Sequence, residues 1–310
     1  MHRHSIDSGD LSSRLRYSLS TADGRNPHRV AGLFSVLLSL PLLVMVAIQF
    51  QHLPLPQLAK MLPTSIAFWA IFALYYLAVP MSEWIIYRRL WSLPPAGIGA
   101  LLRKMVSNEL LLGYLGELQF YAWVRSRQKL DVAPFGTIKD VTILSALTGN
   151  IATLLMLAIA WPLVASSVAG IELRTTFFSL SVVLGTSLLI LLLRQKLFTL
   201  PRRKIWFIVA VHTSRIFAVT GLAALMWHLA LPGVSFDIWL MLATLRMLVS
   251  RLPLVPNKEV IFAGLAVFLL GHDVLIASTM TLIAAALLVT HLCVGGLFAV
   301  AGLVEGGRTQ

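Results

Sequence analysis

Acidic residues and cysteines are what this chain has least of. Of its 310 residues only 13 are Asp or Glu, Cys293 is the single cysteine, and charged residues of both signs make up 12%. One cysteine excludes a disulfide scaffold. So low a charged fraction, against roughly 25% in an ordinary soluble domain, excludes a solvated enzyme domain. It excludes a disordered chain too, because disorder needs low hydrophobicity and much charge. The eight histidines are scattered, and the sequence holds no HExxH, no GxSxG and no phosphate-binding loop. No catalytic residue, metal or cofactor is expected, and the chain is not read as an enzyme.

What is present is apolar: 58% of residues are hydrophobic. The runs 141–171 and 274–304 contain no charged residue at all. Some 20 apolar residues suffice to cross a bilayer core as a helix. Further runs lie at 30–50, 61–87, 175–193 and 205–236, the last interrupted by Arg215. The expectation is an all-α polytopic membrane protein with about six full spans, since a closed barrel needs short alternating strands instead. Residues 1–29 are polar and Arg-rich and read as a disordered cytoplasmic tail, with no cleavable signal following them. Residues 30–305 form one transmembrane domain, and 306–310 a short C-terminal tail.

Two regions resist assignment as spans. Residues 95–124 carry Arg103, Lys104, Glu109 and Glu117 and are broken by Gly113-Tyr114-Leu115-Gly116. Residues 237–272 carry Arg246, Arg251, Lys258 and Glu259 and are broken by Pro253-Leu254-Val255-Pro256-Asn257. Each reads as a re-entrant hairpin of two short helices, because irregular backbone at membrane depth needs protein or a wet cavity to cover it. Letting both hairpins return to their own side puts most of the basic residues on the side of both termini, which the positive-inside bias makes cytoplasmic. The basic excess, 25 Lys and Arg for a formal net charge of +12, then reflects topology and attraction to anionic headgroups, not nucleic-acid binding. The order span, span, hairpin, span recurs from the opposite side, in halves of about 30–171 and 175–304. That is the pattern of an inverted repeat. Aligning Glu117 on Glu259 also brings Phe120 onto Phe262.

An ionised side chain at mid-membrane costs about 2.5–3.5 kcal/mol even on lenient scales, so such groups are paired, protonated, wet or functional. Glu117 stands on the first turn after Gly113 and Gly116, where freed amides attract an anion such as a lipid phosphate; the bland alternative is a helix cap at the interface. Arg251 and Lys258 are candidates for phosphate binding, with Glu259 balancing them; the bland alternative is a solvated loop around Pro253 and Pro256. Arg215, eleven residues into an apolar run with His212 one turn before it, is a candidate partner of Glu117 or Glu259. Arg215 and Arg246 suit interhelical bonding as well as substrate contact. Asn150 reads as a helix–helix hydrogen bond, His228 and His291 as packed or interfacial, and Cys293 as inert.

The stretch LLGYLGELQFYAWVRSR at 111–127 resembles the glycine–glutamate segment of the lysylphosphatidylglycerol synthase transmembrane-region family, the flippase-like domain. SRLPLVPNKEVIFAGLAVFLLG at 250–271 resembles that family's second signature, a proline turn and a glutamate before an apolar arm. The resemblance covers about 30–305 in span order and falls residue by residue on Gly116, Glu117, Pro253 and Glu259. It implies an inner-membrane protein that translocates a polar, anionic or phosphate-bearing lipid. Its expected partners are membrane lipids and enzymes of lipid or glycan synthesis. Ending at Gln310, the chain is expected to lack the soluble aminoacyl-transfer domain of some members. A competing expectation is a membrane-embedded accessory or enzyme component of lipid or glycan-lipid synthesis.

Overall fold

Helix is the one secondary structure in which an apolar segment satisfies its own backbone without water, and among the described residues every regular element is an α-helix. The computed structural model describes residues 44, 62–111, 115–127, 134–167, 198–250, 258–270 and 274–308. In chain order the helices are α1 (Ile66–Trp91), α2 (Gly97–Leu110), α3 (Leu115–Arg127), α4 (Phe135–Ser167), α5 (Arg202–Ala230), α6 (Phe236–Ser250), α7 (Lys258–Leu270) and α8 (Val274–Arg308).

Four of them, α1, α4, α5 and α8, are long and apolar enough to cross a membrane. At 1.5 Å per residue α1 alone is about 39 Å long, more than the ~30 Å hydrocarbon core. The other four, of 14, 13, 15 and 13 residues, reach only about 20 Å each and cannot cross. The expected spans at 61–87, 141–171, 205–236 and 274–304 thus correspond to α1, α4, α5 and α8. The run at 30–50, Val44 apart, and the run at 175–193 lie outside the described residues. The third of these expectations needs correction at its C-terminal end. α5 stops at Ala230, where the Leu231 amide closes on the Trp227 carbonyl at 2.8 Å and Pro232-Gly233 turns the chain. The next helix starts at Phe236.

Local chemistry sets the other ends. The Ser65 hydroxyl accepts from the Phe68 amide and starts α1. Its last turn carries Arg88 and Arg89, which complement the helix dipole, and Ser92 ends it in the left-handed region at φ 53°. Pro94 and Pro95 follow, and their carbonyls accept from Gly97 and Ile98 to open α2. Before α5, the Asp140 carboxylate of α4 accepts from the Thr199 amide (2.7 Å), the Thr199 hydroxyl (2.8 Å) and the Leu200 amide (2.9 Å). The Pro201 carbonyl then takes the Lys204 and Ile205 amides.

The helix lengths run 26, 14, 13 and 33 residues over α1–α4 and 29, 15, 13 and 35 over α5–α8. Packing follows the same order. α1 lies along α5, α2 pairs with α3, and α6 with α7. Each set then reaches into the other, α2 against α8 and α6 against α4. The two residues aligned in the sequence, Phe120 and Phe262, are both buried, Phe120 against Tyr87 and Phe262 against Trp227. Ile66, Trp206, Phe217 and Leu297 project outward, as side chains facing lipid do.

The α2–α3 pair is held at contact distance. A Cβ on Gly116 would lie 2.1 Å from the Lys104 carbonyl oxygen, whereas one on Gly99 or Gly264 would meet nothing. Gly116→Ala is expected to cost about 1–3 kcal/mol by overpacking backbone that cannot yield. Gly99→Ala and Gly264→Ala should be neutral or gain up to about 1 kcal/mol. Thermal unfolding in detergent followed by size exclusion checks the contrast, and equal behaviour of the three variants contradicts it.

Candidate functional site

Two ion clusters form inside the helix pairs, each fastened to α1. In the first, Lys104 of α2 is 4% exposed and Glu83 of α1 is 8% exposed. The ammonium donates to both Glu83 oxygens at 2.8 and 2.9 Å and lies 3.4 Å from Oε1 of Glu117, on the first turn of α3. Asn108 joins the turn. Its amide nitrogen donates to Oε2 of Glu117 at 3.0 Å, and its oxygen accepts from the Gly116 amide at 2.7 Å. Gln119, with its amide nitrogen 2.8 Å from the Ser107 hydroxyl, turns its oxygen to Nη2 of Arg103 at 3.2 Å. The Tyr87 hydroxyl is buried within electrostatic reach of Lys104, Glu83 and Glu117, without a hydrogen-bond partner among the described residues.

In the second cluster Arg246 of α6 donates to Oε1 of Glu259, on the first turn of α7, from Nη2 at 2.8 Å and from Nε at 3.2 Å. Tyr75 of α1 donates to the same oxygen at 2.9 Å. Arg246 also donates to the Tyr75 hydroxyl, and its guanidinium lies 5.1 Å from the centre of the Tyr75 ring. That geometry combines charge, hydrogen bonds and a cation–π contact in one Arg. Trp227 stacks on Phe262 at 5.7 Å to close the apolar wall. The enclosed space is about 10 Å³, room for roughly one water, between Tyr75, Trp227, Arg246, Glu259, Phe262 and Met280.

The clusters match in sequence step. Thirteen residues separate Lys104 from Glu117 and Arg246 from Glu259. In both, a cation on the first short helix meets a carboxylate on the first turn of the second. They also touch across the pairs. Glu109 of α2 lies within electrostatic reach of Glu259, Lys258 and Arg246, and its carboxylate accepts from the Lys258 backbone amide.

Several expectations shift. Among the described residues the partner found for Glu259 is Arg246, which faces the start of α7 from the preceding helical arm. Lys258 Nζ donates to the Ser250 carbonyl at 3.2 Å. Arg251, Pro253, Pro256 and Gly113 lie outside the described residues. Arg215 pairs with neither Glu117 nor Glu259. It donates to the Ser145 hydroxyl at 2.9 Å and lies within electrostatic reach of Glu83. Glu117 and Glu259 head separate clusters. Lys104, read in the sequence as part of the first pair of short helices, is buried in the first arm, α2. Sequence reasoning passed over Glu83, Tyr75 and the buried Tyr76–His291 pair, whose hydroxyl and Nδ1 lie 3.1 Å apart. The thirteen-residue step from Lys104 to Glu117, repeated from Arg246 to Glu259, was the signal that could have found the first arm's cation. No family model, no curated protein and no solved structure matches the chain.

Removing one partner of a buried ion pair leaves an uncompensated charge, at about 3–5 kcal/mol. Lys104→Met, which bares two carboxylates, should lower stability by that order, and adding Glu83→Gln should restore much of it. Unfolding of both variants beside Lys204→Met, at an exposed lysine, checks this. A Lys104→Met loss no larger than that of the control counts against it.

Proposed function

We propose that this chain is a flippase-like membrane protein that binds an anionic, phosphate-bearing lipid headgroup and carries it between leaflets. Its two short-helix pairs act as re-entrant hairpins, entering from opposite faces in an inverted repeat of six spans, with both termini cytoplasmic. This is the architecture and activity implied by the resemblance to the lysylphosphatidylglycerol synthase transmembrane-region family. The observation that carries the reading is the pair of matching cation–carboxylate clusters. Charged groups are costly at membrane depth, where they mark substrate and ion pathways. Two of them recur at one step in two helix pairs, as discontinuous elements of transporters do. The chemistry fits the ligand. A headgroup phosphate competes with Glu259 for the bidentate face of Arg246 and with Glu117 for Lys104. Each carboxylate holds its cation in place while the site is vacant, so the cation need not stand bare in an apolar wall. The acyl chains stay among the outward-facing apolar residues.

Reconstitution into vesicles with fluorescent phosphatidylglycerol, read by dithionite quenching, tests the proposal. The wild-type chain should speed transbilayer movement above empty vesicles. Glu117→Gln and Glu259→Gln should each change the rate by about ten- to hundredfold, the scale of a hydrogen bond to a charged group. Movement absent from the wild type, or unaltered by both substitutions, rejects it. A covalently altered lipid appearing in the same vesicles would favour an enzyme of lipid synthesis instead.

A further inference from the structure

Resting on the lipid-transport reading, a further polar site lies where α4 meets α5. Arg215 stands near the middle of the 29-residue α5, half-buried, at a depth where a cation is costly. Its one hydrogen bond among the described residues goes to a neutral group, the Ser145 hydroxyl of α4 at 2.9 Å. Glu83, the carboxylate within its electrostatic reach, is already bonded to Lys104 at 2.8 Å. A guanidinium carries five N–H donors, so most of those on Arg215 are open to an anion. Nearby are two buried polar atoms without a hydrogen-bond partner among the described residues, Nδ1 of His212 and Oγ1 of Thr142. His212 precedes Arg215 by three residues, and Thr142 precedes Ser145 by three, so each pair shares a helix face. Contacts across the two helices join the pairs. His212 Nε2 lies 3.3 Å from the Val141 carbonyl, one turn below the bond from Arg215 to Ser145. A carbonyl only accepts, so Nε2 carries the hydrogen of that bond. The neutral ring then offers Nδ1 as a lone pair that lacks a donor.

These groups define a ligand. The guanidinium takes an anionic oxygen, Nδ1 takes a donor, and the Thr142 hydroxyl takes either. A phosphodiester is ionised and has no hydrogen to give, so the donor must come from another part of the headgroup. An ammonium in that place would be a second cation beside Arg215, and like charges in an apolar interior repel strongly. A hydroxyl donates without charge, and it also accepts. We propose that Arg215, Ser145, Thr142 and His212 form a subsite that selects phosphodiester headgroups bearing free hydroxyls. The phosphate lies on Arg215 and Ser145, and the hydroxyls lie on His212 and Thr142. Arg215 and Ser145, both half-buried, meet the headgroup first. Its entry between α4 and α5 then uncovers Nδ1 of the fully buried His212.

The test compares two fluorescent lipids of equal charge in the same reconstituted vesicles. Phosphatidylglycerol carries free hydroxyls on its headgroup, and phosphatidylethanol carries none. The wild type should move phosphatidylglycerol about five- to thirtyfold faster, the scale of one or two neutral hydrogen bonds. Thr142→Val, which removes only the hydroxyl function, should narrow that ratio by about fivefold whatever the absolute rates. His212→Phe should narrow it too, and Thr142→Ser should keep it. Arg215→Gln should slow both lipids by about tenfold or more, as loss of a charged hydrogen-bond donor does. Equal wild-type rates for the two lipids overturn the inference and leave lipid transport standing. So does a ratio undiminished in Thr142→Val, or a folded Arg215→Gln that moves both lipids at the wild-type rate. A wild type that moves neither lipid sinks the transport reading, and this inference with it.

Discussion

The cost of placing charge among apolar helices governs this molecule. Lys104 and Glu83 are buried, and Arg246 and Glu259 half-buried, in packing that would otherwise be made of Leu, Phe and Trp. They are tolerable there only as partners. The ion pairs are not evidence of great stability, since an apolar replacement of a buried pair is often neutral or better. What they supply is position. Each requires a particular face of a short helix to meet a particular turn of its neighbour, and a slip of one residue in either would strand a charge.

α1 is where that requirement becomes architecture. Tyr75 and Glu83 lie about two turns apart on it, and each serves a different helix pair. One helix therefore registers both pairs, and Glu109, bridging from α2 to α7, ties them together directly. The close approach at Gly116 and the Asp140 contacts to Thr199 and Leu200 do for the backbone what the ion pairs do for the side chains. A ligand that takes a cation from its carboxylate removes one of the bonds by which a helix pair is held to α1, and small shifts in packed interfaces resolve into discrete arrangements.

Legibility from sequence divided along physical lines. The long apolar helices were visible because crossing a bilayer imposes a length and a composition on one continuous segment. The short pairs were visible because glycines, or Pro253 and Pro256, stand in segments too charged to cross, although Gly116, read as part of the turn, lies inside the first turn of α3. Glu117 and Glu259 stood out as acids in a chain that has few. The end of α5 was misplaced because Leu231 and Val234 extend the apolar run past a turn that Pro232 and Gly233 impose. Tyr75 and Glu83 were passed over because each sits inside a stretch that reads as membrane span, where a phenol is ordinary and a lone acid has no partner in view.

Pairing was the part beyond reach. Arg246 and Lys104 are each thirteen residues from their carboxylates, a distance bridged only when a helix pair folds back on itself. Arg215 seemed equally suited to either glutamate until packing placed it against Ser145. The sequence alone determined that the chain is helical and apolar and which of its scarce charges sit where burial is expensive, because hydrophobicity and helix length are properties of one segment at a time. The tertiary structure alone decided which cation answers which carboxylate, because that depends on the relative rotation and depth of helices whose contacting residues are far apart along the chain.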